Sequence, residues 1–300
     1  MSPDATDPAA PAAGSAAAAG TFDLGGELTV TRMGYGAMRL TGAGIWGEPA
    51  DRSGAVALLR RAVELGVDLI DTADSYGPFV SEELIREALH TGGSDPYDGV
   101  IIATKAGLIR TGPGQWHTLG RPAYLRFACE MSLRRLGLDT IPLFQLHRID
   151  PEVAAEDQLA ELQALKDEGK IRHIGLSEVD TDALAHARDH VEVASVQNRY
   201  NLLDRRSEAV LTACADAGIG FIPWFPVATG ELARPGGPLD DLASDTGATP
   251  AQLALAWLLR RSPVMLPIPG NSSILHLEEN VAAAELQLTD AQVARLDTLA

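Results

Sequence analysis

The chain has 300 residues, with 24 Lys plus Arg against 41 Asp plus Glu, a length that accommodates one large barrel or two ordinary domains. At 46% hydrophobic and 22% charged residues it has a globular composition, and no run of about 18 apolar residues is present to span a bilayer, so a membrane partner is not expected. The formal charge of −17 argues against nucleic acid, because phosphate contacts supply most of that affinity and need a basic surface.

The first twenty residues hold nine Ala, several Pro and Gly, and no Lys or Arg. They predict a disordered tail over 1–20, and without the basic start and apolar core of a secretory signal the expected location is cytoplasmic. Over 21–300, short β-rich runs alternate with helix-patterned segments, the pattern of parallel strands joined by crossover helices. Gly25-Gly26 predicts an opening hairpin. Eight strands follow, near 32–36, 67–70, 100–104, 141–146, 171–176, 193–196, 220–223 and 264–268, most of them continuous apolar runs suited to burial on both faces. Helical spacing recurs between them, as in Val56, Leu59 and Val63, then Leu159, Leu162 and Leu165, then Val210, Cys214 and Ala217. Cys129 and Cys214 sit in such segments without ligand spacing and read as reduced.

Successive strand ends near 36, 71, 105, 147, 177, 197, 224 and 269 lie about 20 to 45 residues apart, enough for a strand, a helix and two loops. The predicted fold is α/β, a single (β/α)8 TIM barrel over 21–300 with a short N-terminal β-hairpin. The rival open sheet calls for G-x-G-x-x-G after its first strand. Here Gly34-Tyr35-Gly36 runs instead into Ala37-Met38-Arg39 and a loop rich in Gly and Pro.

In such a barrel the reactive groups stand at the C-terminal ends of the strands. Those positions are Asp71, Lys105, His147, Ser177 with Glu178, Gln197 with Asn198, Trp224, and Gly270-Asn271. A single polar residue there is ordinary loop chemistry; five consecutive strands ending in ionisable or amide groups make a ring. Tyr76 lies five residues beyond Asp71. A nearby ammonium favours phenolate, so Lys105 is expected to draw the Tyr76 pKa down toward working pH, with Asp71 holding Lys105 charged. His147 is placed to bond a carbonyl or assist the proton transfer. No spacing suggests a metal site.

With these motifs the chain resembles the aldo-keto reductase family from about Phe22 onward, and it is most similar to the branch that includes bacterial pyridoxal reductases. That narrower likeness rests on Gly34-Tyr-Gly36-Ala-Met, Pro267-Ile-Pro-Gly270 and His276-Leu-Glu-Glu-Asn280. The resemblance implies metal-free reduction of a small-molecule carbonyl by an Asp71–Tyr76–Lys105–His147 tetrad, with Tyr76 as general acid. It implies cofactor contacts from Gly36, Ser177, Gln197, Trp224, Pro226, Gly270, Ser272, Ser273, His276, Glu279 and Asn280. Glu178 stands where Asn is common, and is expected to accept from the carboxamide of the nicotinamide. Many members carry Lys where this chain has Gly270 and Arg where it has His276, so a 2′-phosphate would fall to Ser272, Ser273, helix amides and His276. NADPH is the expected cofactor, with NADH the alternative. Loops 40–49, 107–121 and 225–240 would wall the substrate pocket, with Trp46, Trp116 and His117 as candidate lining. Two other readings compete: a nicotinamide-sensing regulatory subunit with little turnover, and an aldolase-like barrel using Lys105 as a Schiff-base nucleophile. A monomer is the default state.

Overall fold

The computed structural model describes residues 14–227 and 239–299. The expected tail gives way to structure before residue 20. The Ala16 amide donates to the Leu65 carbonyl at 2.8 Å, that of Ser15 donates to Glu285 at 3.1 Å, and a 3-10 turn over Ala16–Ala19 buries Ala16 and Ala19. Small side chains permit this close packing: a Cβ at Gly14 would lie 2.6 Å from the Ala282 Cα. Residues 1–13 lie outside the described residues.

The opening hairpin pairs β1 (Thr21–Leu24) with β2 (Leu28–Thr31) around Gly25 and Gly26, both at positive φ. Next come β3 (Tyr35–Gly36), α1 (Arg52–Glu64), β4 (Leu69–Asp71), α2 (Val80–Leu89) and β5 (Ile101–Ala106). A second hairpin, β6 (Leu108–Gly112) and β7 (Gln115–Thr118), occupies the segment expected to be irregular loop. Gly114, at φ 68°, makes its turn. The rest alternates regularly: α3 (Pro122–Leu136), β8 (Ile141–Leu146), α4 (Ala155–Asp167), β9 (Ile171–Ser177), α5 (Thr181–Arg188), β10 (Val193–Arg199), α6 (Glu208–Ala217) and β11 (Gly220–Trp224). After residue 238 come α7 (Asp240–Thr246), α8 (Pro250–Arg261), α9 (Ile274–Ala282) and α10 (Asp290–Asp297). Thr249 and Thr289 start α8 and α10 with capping boxes closed by Gln252 and Gln292.

Seven strands form one parallel sheet in the order β11-β10-β9-β8-β5-β4-β3. The eighth expected strand is not a continuous ladder. Residues 264–268 meet β11 through a Phe221–Met265 bridge, and Gly34 donates to the Pro267 carbonyl at 3.0 Å. Pro267 and Pro269 have no N–H to give, so this segment closes the barrel between β11 and β3 with few bonds. Arg32, assigned from sequence to the first strand, instead spends its guanidinium on the carbonyls of Leu259, Ser262 and Met265.

Two apolar clusters hold the barrel. The larger packs helices on strands; the smaller fills the interior with Leu69, Ala103, Leu143, Ala194, Ile222 and Leu266, onto which the hairpin lowers Leu24, Leu28 and Val30. The hairpin thereby covers the N-terminal ends of the strands. The opposite, C-terminal ends carry the polar ring. Seven strands and the closing 264–268 segment, with the opening hairpin, give the (β/α)8 barrel architecture expected from sequence.

Candidate active site

Register brings the strand-end residues together. Asp71 pairs across β3 and β4 with Gly36, Lys105 across β5 and β8 with Gln145, Ser177 across β9 and β10 with Gln197, and Arg199 across β10 and β11 with Trp224. Alternation along each strand puts apolar or small residues deeper in the barrel and these polar ones at its mouth. Of these strand-end residues, Gly36, Asp71, Ser177, Gln197 and Trp224 border a cavity of about 630 Å³, whose walls also include Ile45, Leu108, Trp116, Phe225, Val227 and Ile268. That volume suits a small ligand or part of a larger one.

At the floor, Lys105 and Asp71 form a buried ion pair, Nζ to Oδ2 at 2.7 Å, and Nζ also donates to the Thr72 carbonyl at 2.7 Å. The other Asp71 oxygen accepts from Gln145 at 3.2 Å and Gln197 at 2.7 Å. Burial works against the Lys105 charge, but Asp71 and then Tyr76 outweigh it and hold its pKa above the ordinary lysine value. The Tyr76 hydroxyl lies 3.4 Å from Nζ.

The expected acidification of Tyr76 is not what this environment produces. Burial pushes the phenol up, and the opposing pull of Lys105 is smaller. Tyr76 therefore stands protonated at neutral pH, with a proton to donate. His147 packs edge-on to it, ring centroids 5.9 Å apart, and its pKa is held well below the ordinary range by burial first, then by Lys105 and Arg148. Its imidazole is neutral. The Ser75 hydroxyl lies 3.4 Å from Nδ1, and when that hydroxyl donates, Nε2 carries the ring proton and becomes a donor.

The walls sort the remaining candidates. On β7, Trp116 and Thr118 line the cavity while His117, between them, faces outward and meets Thr111 at 2.8 Å. That is strand alternation, invisible while the segment is read as loop. Trp46 is likewise not part of the lining; it is half exposed and bridges to Gly77, and its neighbour Ile45 takes the wall position. Gly36, Ser177, Gln197, Trp224, Pro226 and Gly270 do line the cavity. Glu178 does not. At φ 56°, it turns outward to accept from the Trp224 indole at 2.6 Å and the Arg199 amide at 2.7 Å, so it braces the aromatic wall instead of facing a carboxamide. Ser272, Ser273, His276, Glu279 and Asn280 stand beyond the cavity, at and after the start of α9. The Ser273 amide, expected to be available to a phosphate, already donates to Asn271 at 3.1 Å. Residues 228–238 of the third expected wall lie outside the described residues.

Four contributors escape a strand-end reading. Gln145 is hidden inside an apolar strand. Arg110, on β6, stacks over Trp116 at 3.7 Å and donates to the carbonyls of Gly44, Ile45, Ser75 and Gln115, tying three loops together. Arg148, next to His147, donates to Ser177 Oγ at 3.0 Å and to the His147 carbonyl at 2.6 Å. Arg39 lines the mouth beside Gly270. Neither Arg39 nor Arg148 forms an ion pair among the described residues, so this cavity of an acidic protein is locally cationic. Among the described residues, the one group of three side chains able to share a metal ion is Glu156, His186 and His190, on α4 and at the end of α5, away from the cavity lining.

The model of the Aldo/keto reductase family matches residues 32–300. The chain is 54% identical over 289 residues to an uncharacterized oxidoreductase of Schizosaccharomyces pombe, covering 96% of this chain and 92% of that protein. It is 43% identical over 284 residues to pyridoxine 4-dehydrogenase of Escherichia coli, covering 92% and 97%. Among solved structures it is similar to an aldo-keto reductase from Klebsiella pneumoniae in complex with NADPH, at TM-score 0.78 and 29% identity over 93% of this chain and 94% of that one. A thermostable aldo-keto reductase bound to the inhibitor epalrestat gives TM-score 0.81 at 27% identity, over 93% and 99%.

Proposed function

The chain belongs to the aldo/keto reductase family of NAD(P)H-dependent carbonyl reductases, and on that premise we propose that Tyr76 is the general acid, with NADPH as reductant. The observation that carries this reading is the Asp71–Lys105–Tyr76 chain of contacts, buried under a cavity that His147 also borders.

The cavity residues fit a nicotinamide. A carboxamide asks its site for one donor and one acceptor. Ser177 Oγ already accepts from Arg148, which leaves its hydroxyl proton to donate; Gln197 commits its NH2 to Asp71, which leaves its oxygen to accept. Trp224, held by Glu178, offers a flat face beside them. When bound, the cofactor supplies a hydride to the carbonyl carbon. The protein's part is the other half of the reaction. Tyr76 donates its proton to the carbonyl oxygen as negative charge grows there, and the Lys105 ammonium, kept charged by Asp71, stabilises the phenolate left behind. Neutral His147, in the tautomer set when Ser75 donates to Nδ1, gives the same oxygen a second hydrogen bond from Nε2 and orients it. Ile45, Leu108 and Trp116 exclude water from the reacting atoms.

The relative from E. coli is named for oxidising pyridoxine, an aromatic alcohol, and Trp116, Trp224 and Phe225 give this cavity aromatic walls. Aromatic aldehydes, pyridoxal first, are therefore the substrate class proposed. Tyr76→Phe tests the mechanism: NADPH binding is expected within about twofold of wild type, with turnover of pyridoxal and benzaldehydes reduced at least about 1,000-fold. Retained turnover would remove Tyr76 from the acid role.

A further inference from the structure

NADPH carries a pyrophosphate and a 2′-phosphate, and an acidic chain must meet them with local positive charge. The place where a cation is most expected, position 270, cannot supply one. A Cβ built on Gly270 would lie 2.5 Å from the Gly36 carbonyl oxygen, and a Cβ on Gly36 would lie 2.7 Å from that of Ile268. The two glycines let the ends of β3 and the closing 264–268 segment touch backbone to backbone. No side chain fits at either position unless that seam opens.

The same closure brings in a substitute. The stem of Arg39, three residues beyond Gly36, passes 3.8 Å from where the Gly270 side chain would begin, so its Cγ lies within van der Waals contact of the point from which the missing lysine would grow. Arg39 is exposed at the cavity mouth and among the described residues has no hydrogen bond, ion pair or ring contact. Most other arginines of the fold are committed: Arg32 and Arg110 to carbonyls, Arg61, Arg126 and Arg135 to carboxylates. Directly after Gly270, the Asn271 side-chain amide nitrogen is buried without a partner among the described residues, and Ser273 begins α9 without capping it by its side chain. A guanidinium whose five donors have no partner among the described residues, on the same rim as an unfinished set of polar groups, is matched to a phosphate that bonds it bidentately.

We infer that Arg39 binds a phosphate of the NADP(H) dinucleotide, replacing from the first strand end the cation that the glycine seam excludes from the last. The inference rests on the cofactor reading above and adds to it a residue and a charge. The direct test is binding, not turnover. Dissociation constants for NADPH and NADH are measured by fluorescence titration on the full chain and on Arg39→Gln and Arg39→Lys, with melting curves to confirm folding. Arg39→Gln should weaken NADPH about 10- to 100-fold, and Arg39→Lys should restore part of the loss. Wild-type affinity should fall with added salt more steeply than that of Arg39→Gln. Loss confined to NADPH places Arg39 on the 2′-phosphate; equal loss for NADH places it on the pyrophosphate. NADPH binding within twofold of wild type in Arg39→Gln overturns the inference and leaves the cofactor reading intact. A wild-type chain that binds neither dinucleotide overturns both.

Discussion

The floor and the rim of one cavity are built on opposite terms. At the floor, Asp71 receives three side chains, Lys105 is shared among Asp71, Thr72 and Tyr76, and the loop carrying Tyr76 is roped to its neighbours by Arg110. At the rim, among the described residues, Arg39 has no partner and the Asn271 side-chain amide nitrogen bonds nothing, while Ser272 is exposed. Groups that act on charge appearing within the reaction are fixed in advance, because reorganising them would add to the barrier. Groups that meet charge already present on a ligand are completed by the ligand's arrival.

If the floor is preorganised in this sense, damage there should reach both stability and turnover. Lys105→Met leaves Asp71 buried without its cation, a loss of about 3–5 kcal/mol in urea unfolding, with turnover abolished. Adding Asp71→Asn should recover much of the stability and none of the activity; a double variant as unstable as the single one would show that packing, not charge, holds the floor. Arg110→Ala is the next largest. It should lower kcat/KM about 10- to 100-fold through misplacement of Tyr76 and Trp116, while NADPH affinity stays within about twofold.

Beneath the floor, Asp74 contributes a pH dependence. Burial, then the neighbouring Glu82, raises its pKa to about 8, so the folded state keeps a proton that the unfolded state releases near 4. Its contribution to stability must then fall as pH rises from about 4 to 8 and level off above, by up to about 1.4 kcal/mol per pH unit. Asp74→Asn keeps an acceptor for Tyr124 and should flatten that slope in urea midpoints measured across this range. The smallest effect belongs to the rim: Arg39→Gln should change unfolding free energy by no more than about 0.5 kcal/mol, since the guanidinium makes no hydrogen bond or ion pair among the described residues. A larger loss would make the rim a part of the framework.

What the sequence discloses follows the same division. Strand-end residues announce themselves because an apolar run stops at a polar group, and Asp71, Lys105, His147, Ser177 and Gln197 all converge as that rule predicts. Gln145 is missed because it lies within such a run. His117 is misplaced because its wall has a register, and a hairpin's register is not visible until its turn at Gly114 is known; Trp46, in the separate 40–49 loop, is drawn aside by its bridge to Gly77. The Tyr76 error is one of magnitude: a cation nearby was weighed, and the loss of water was not. Arg39 and Arg148 escape because nothing in a linear pattern marks an arginine that forms no ion pair among the described residues.

The hairpin that lowers Leu24, Leu28 and Val30 onto the barrel interior has a consequence for traffic. A tube open at both ends would let two ligands enter independently. This one is a cup: its lower end is sealed with hydrocarbon, and everything that reacts must come and go through a single doorway. A dinucleotide bound across that doorway as proposed would leave only the remaining gap for the smaller molecule, so product-inhibition kinetics should show the carbonyl compound binding last and its alcohol leaving first.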